Sequence, residues 1–138
     1  MLQRSRRRSS ANLLHLMKSL LVICGSETLS RLFSQIFEKR GWTVESCCQY
    51  WDTAIARVAG KESFDAVIIS DSFKDKSVLE MIKLIRSLRH RRSIALVIVA
   101  RTESIDREAA IAAGADEMLV RPFNVNSLTW ALERLVAG

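Results

Sequence analysis

Proline is almost missing from this chain, with one residue in 138, and glycine is sparse at five. So little of either excludes a Pro-rich or Gly-rich flexible chain, and the 49% hydrophobic and 26% charged residues are those of a globular domain. No apolar run approaches the roughly 18 residues needed to span a bilayer. The arginine-rich start lacks the apolar stretch and small-residue cleavage site of a secretory signal, so the expectation is a cytoplasmic protein without membrane contact. Cysteine is scarce as well. Cys24, Cys47 and Cys48 have no metal-binding spacing, and the adjacent pair is poorly placed for an unstrained bridge, so they read as buried free thiols.

The net charge of +6 looks like a nucleic-acid signal until its location is considered. Arg4, Arg6, Arg7 and Arg8 carry four of the six charges, leaving 17 basic against 15 acidic side chains in the rest. Residues 1 to 16 therefore form a basic arm ahead of a nearly neutral domain over 17 to 138. Two readings of the arm stand open: a flexible tail that touches nucleic acid or acidic surfaces, and an upstream extension from a misassigned start, with Met17 the true one. Arginines alone give affinity without a reading surface, so nucleic acid is not the expected partner. Leu13, Leu14, Leu16 and Met17 can form a helical turn that docks on the body.

From residue 19 onward, short apolar runs alternate with helical spacing. "SLLVIC" is a continuous apolar strand, after which Leu29, Leu32, Phe33, Ile36 and Phe37 mark a helix face closed by Gly41. "WTVESCC" predicts a half-buried strand, followed by a helix over 51 to 59 with Ile55, Val58 and Ala59 inward. "DAVIIS" is the third strand. A helix over about 77 to 89 buries Val78, Met81, Ile82, Ile85 and Leu88, and "SIALVIVA" is a strand apolar enough to be covered on both faces. A fourth helix, about 105 to 113, stops at Gly114; "DEMLV" is the fifth strand, and Asn126 caps a last helix carrying Leu128, Ala131, Leu132, Leu135 and Val136. Strict alternation predicts an α/β fold: a doubly wound, five-stranded parallel sheet of order 2-1-3-4-5 between two helical layers, with any site at the carboxyl ends of strands one and three. Cys24, Gly25, Ser26, Ser70, Asp71, Ala100 and Arg121 fall there.

The segment "AGADEMLVRPF", together with the spacing of "FDAVIIS" and "LLVICGSE", resembles the receiver domain of two-component response regulators, the CheY-like family, over residues 19 to 138. The resemblance implies the flavodoxin-like three-layer sandwich, a signalling role, protein partners, and neither enzyme activity nor a cofactor of its own. Receivers carry two acids after strand one, an aspartate acceptor ending strand three, Thr or Ser ending strand four, an aromatic in strand five and Lys before a cis proline. Here the acid pair falls on Cys24 and Gly25, and the acceptor on Ser70, with Asp71 as the rival acceptor. The switch hydroxyl falls on Ala100, the aromatic on Met118 and the lysine on Arg121, before Pro122, where the resemblance implies a cis bond. Receivers hold Mg²⁺ through hard carboxylate oxygens, and these positions offer none, so no metal is expected. In a strand Asp71 points away from Ser70 unless a bulge re-aims it.

The resulting expectation is a degenerate receiver that has lost phosphoryl chemistry and acts as a protein-interaction module. Its surface would be helix four, strand five and helix five, with Arg107, Glu108, Ile111, Met118, Trp130, Glu133 and Arg134, and would serve a partner or a homodimer, unless Trp130 covers the core. The basic Arg121 is expected to be satisfied by Asp71 or Glu27; the rival is that it binds a small anion with Arg101. Three other functions compete: an unorthodox receiver phosphorylated on Asp71, a flavodoxin-like redox domain using the hydroxyl-rich "CGSETLSR" loop, and a nucleic-acid-associated regulator acting through the arm. Ser70 has no companion base, since His15 lies in the arm and His90 at the end of helix three.

Overall fold

The computed structural model describes residues 18–47, 51–60, 64–70, 77–88, 94–101 and 106–137. His15, Cys48, Asp71, His90 and the arm lie outside them. In chain order the elements are β1 (Ser19–Ile23), α1 (Glu27–Glu38), β2 (Thr43–Cys47), α2 (Trp51–Ala59), β3 (Ala66–Ser70), α3 (Val78–Ser87), β4 (Ala95–Ala100), α4 (Arg107–Ala113), β5 (Glu117–Val120) and α5 (Val125–Ala137). The five strands are parallel in the order β2-β1-β3-β4-β5.

The apolar runs explain the layering. Residues 20 to 23 of β1, all of β3 and all of β4 are buried, which requires cover on both faces. Because successive strand residues face opposite ways, Leu20, Val22, Ile68, Val97 and Val99 pack under α1 and α5 with Phe33, Phe37, Leu128 and Leu132. Leu21, Ile23, Val67, Ile69, Leu96 and Ile98 pack on the other face with Trp51, Val58, Met81, Ile82 and Ile85 from α2 and α3, and Ala110 from α4. Each fully buried Leu, Ile or Phe stabilises the fold by about 1.5–3 kcal/mol. Two apolar residues expected inward are not. Leu32 is 42% exposed and Ala59 is exposed, because each lies at the flank of its helix stripe, beyond the width that the sheet covers.

Helix starts are fixed by side-chain acceptors. Ser26, Ser77 and Asp106 accept from the backbone N–H of Leu29, Glu80 and Glu108 at 3.2, 3.1 and 3.3 Å. For α5 the cap is Asn124, not Asn126: its Oδ1 accepts from the N–H groups of Asn126 and Ser127 at 2.8 and 3.3 Å, and Asn126 itself lies in the first helical turn. Apolar periodicity sets a helix's phase but not its first residue. Asn124→Ala should therefore cost about 1 kcal/mol in urea unfolding while Asn126→Ala changes stability by less than about 0.5 kcal/mol; the reverse order would restore Asn126 as the cap.

The α4–β5 turn is held by one arginine. Arg86 of α3 donates from Nε to the Gly114 carbonyl at 2.7 Å, from NH1 to the Ile94 carbonyl at 2.7 Å and from NH2 to Asp116 Oδ2 at 2.8 Å. The same Asp116 oxygen accepts from the Leu96 N–H at 2.8 Å, so α3, β4 and the turn share one polar cluster. Gly114 closes α4 at φ +127°.

Candidate functional site

The carboxyl ends of β1 and β3 lie at the point where the strand order reverses, with crossovers leaving to opposite faces. Ile23 pairs with Ile69, so one residue further along this register Cys24 stands beside Ser70. Both are fully buried, and strand alternation turns both toward α1 and α5. The Cys24 thiol leans on the Ser26 carbonyl at 3.5 Å, and the Ser26 hydroxyl is engaged in capping α1. Gly25 is exposed. Asp65, the carboxylate that opens this segment, sits at the far end of the sheet, where it accepts from the Ser19 N–H at 2.8 Å.

Ala100 and Met118 lie on the other sheet face, buried against the α2–α4 layer. The sheet thus separates them from Cys24 and Ser70. Arg121 follows β5, its N–H donating to the Ala100 carbonyl at 2.9 Å, and the Arg121–Pro122 bond is cis. Phe123 then stacks on Phe33 of α1 with ring centroids 5.6 Å apart, tying this loop to the α1–α5 layer. The Arg121 Nε is buried and has no hydrogen-bond partner among the described residues. Glu27, one of the two acids expected to satisfy it, is exposed in the first turn of α1 and makes no bond to it. Asp71, the other, lies outside the described residues. Among those residues no group of three or more His, Cys, Asp or Glu side chains could hold a metal ion.

A second feature is the groove between β5 and α5, about 450 Å³, lined by Arg107, Glu117, Leu119, Asn126, Ser127, Trp130 and Ala131. Trp130 is 64% exposed, so it does not cover the core, and Arg134 stacks over its ring at 4.8 Å. Arg107 pairs with Glu117 at 2.5 Å, and Ile111, one turn further along α4, is 43% exposed. Two residues expected on this surface are elsewhere. Met118 is buried, because the alternation of β5 turns it inward, and Glu133 bonds Arg40, just beyond α1, at 2.5 Å. Glu117, Leu119 and Ser127 were not expected there; the strand alternation that buries Met118 puts Glu117 and Leu119 on the opposite side of β5.

No protein-family model and no curated protein matches the chain. Solved structures do match. A response regulator from Chloroflexus aurantiacus superposes with a TM-score of 0.79 at 17% identity, covering 88% of this chain and 99% of that one. The chemotaxis protein CheY4 of Vibrio cholerae gives 0.76 at 25% identity over 86% and 98%. A Burkholderia pseudomallei response regulator, solved with a phosphorylated aspartic acid, calcium ion and citrate, gives 0.73 at 26% over 87% and 69%. The fold is that of a response-regulator receiver domain.

In the receiver fold the carboxyl edge of the sheet is where this chain gathers Cys24, Ser70 and the Arg121 loop. The Trp130 groove lies on the side formed by α4, β5 and α5. No helix among the described residues is long and apolar enough to cross a membrane.

Proposed function

We propose that the chain is a signalling module of receiver type that binds a protein partner without being phosphorylated. Ser70 carries this reading. It is fully buried at the carboxyl end of β3, beside Cys24, and offers a hydroxyl where the resemblance to receivers would put the acceptor aspartate. Phosphoryl transfer to a carboxylate relies on positioning and on Mg²⁺ held by hard oxygens, and Cys24, Gly25 and Ser70 supply no carboxylate. The relay is also without its parts, since Ala100 offers no hydroxyl and Met118 no aromatic ring. The α4–β5–α5 face then works constitutively, with the exposed Trp130 as anchor and Arg107, Ile111 and Arg134 around it. A second copy of the chain is one partner that this mixed-charge face suits.

The Burkholderia regulator carries its phosphoryl group on an aspartic acid. The corresponding chemistry here would fall on Asp71, one residue beyond Ser70. Incubation of the full chain with acetyl phosphate and Mg²⁺, followed by intact-mass and peptide analysis, is expected to leave the mass unchanged. Gain of one phosphoryl group, mapped to Asp71 and lost in Asp71→Asn, would replace this reading with the unorthodox receiver.

A further inference from the structure

On the far side of α5 from the Trp130 groove, α1 and α5 enclose a second groove of about 330 Å³. Its apolar surface is Leu32, 42% exposed, Val125, 44% exposed, and the half-buried Ile36. Lys39 and Arg40 form one end. Leu32 and Val125 are large apolar side chains left open to solvent, on a groove that shares only Asn126 with the Trp130 groove.

The chain itself supplies a cover of the right kind. The 17 residues before Lys18 hold Leu13, Leu14, Leu16 and Met17, apolar side chains that lie outside the described core. So short an apolar segment has no stable fold of its own in water and needs a surface to pack on. The chain leaves the body at the correct end. The Lys18 carbonyl accepts from the Thr43 N–H at 2.8 Å, and Thr43 follows Lys39 and Arg40 by only a few residues. The segment docks extended: the five residues from Leu13 to Met17 reach up to about 17 Å from Lys18, so the leucines themselves run along the groove from the Lys39 end. Charge selects the segment. Lys39 keeps this end of the groove positive, with Arg40 offset by Glu133, and disfavours Arg4, Arg6, Arg7 and Arg8 there, whereas residues 9 to 17 contain no Lys, Arg, Asp or Glu.

We propose that residues 12 to 17 fold back into the α1–α5 groove, their leucines covering Leu32, Ile36 and Val125. The arm is then a built-in occupant of this surface, with its arginines held at the far mouth. The test uses the full chain with Cys48→Ser, since Cys24 and Cys47 are already buried. Leu13→Cys is combined with Leu32→Cys, or, as control, with Leu84→Cys, which is 41% exposed on α3 across the sheet. Both partner sites are exposed, so the core is untouched, and matching thermal melts check this. Under mild oxidation at micromolar protein, the first pair should close within one chain about tenfold or more faster than the second, because docking raises the local thiol concentration. Equal rates would overturn the proposal, and so would a bridge formed mainly between two chains, which would put a second copy in the groove.

Discussion

Replacing Gly114 by alanine is expected to destabilise the protein by about 3–4 kcal/mol, the larger part of it local. Two independent costs combine. At φ +127° an L side chain is strained, by about 1–3 kcal/mol. A Cβ there would also stand 2.5 Å from Cγ of Arg86, in the stem of a side chain that three hydrogen bonds hold in place. The stem cannot swing aside without breaking the bonds to Gly114, Ile94 and Asp116. Urea unfolding should show the loss with an unchanged slope, and the thermal midpoint should fall by roughly 12–16 °C. A loss under about 1 kcal/mol would mean that the turn re-forms around the methyl group, and the clamp would not be rigid.

Arg86→Met should cost about 3 kcal/mol, although it keeps most of the apolar stem. The Arg86 side chain is only 18% exposed, and its Asp116 partner 36%, so the guanidinium works in a partly dry setting. Its removal leaves the carbonyls of Gly114 and Ile94 short of a charged donor, and a lost hydrogen bond to a charged group is worth about 1.5–3 kcal/mol. The Asp116 carboxylate keeps its bond from the Leu96 N–H, which limits the damage there. The two substitutions are coupled: in the Arg86→Met background the steric part of the Gly114→Ala cost should shrink, giving a double-mutant interaction of at least about 1 kcal/mol. Strict additivity would show that Gly114 is required for its φ alone.

Much of this fold could be read directly from residue order. The runs in β1, β3 and β4 are apolar at consecutive positions, and only a strand covered on both faces tolerates that, so a parallel sheet between two helical layers followed. The strand order, too, came from alternation together with right-handed crossovers. Contacts between residues distant in sequence could not be read. Arg86 meets Gly114 and Asp116 across 28 and 30 residues, and nothing local in "LIRSLR" distinguishes it from a solvated arginine. The same applies to Glu133, which local spacing put on the α4 side and which Arg40, 93 residues away, holds on the α1 side. At the candidate site, spacing placed Ser70 and Cys24 at strand ends, and register brings them together. It did not separate the faces: Ala100 was grouped with that site, while one-residue alternation puts a sheet between it and Ser70.

The uneven burial of the tryptophans makes the molecule readable by light. Trp42 and Trp51 are 4% and 5% exposed, so a dissolved collisional quencher scarcely reaches them, whereas Trp130 is 64% exposed beneath Arg134. The quenchable part of the emission therefore belongs to a single position on α5. Any partner that settles there, whether a second copy or another protein, shields that fraction and leaves the rest of the signal unchanged as an internal standard.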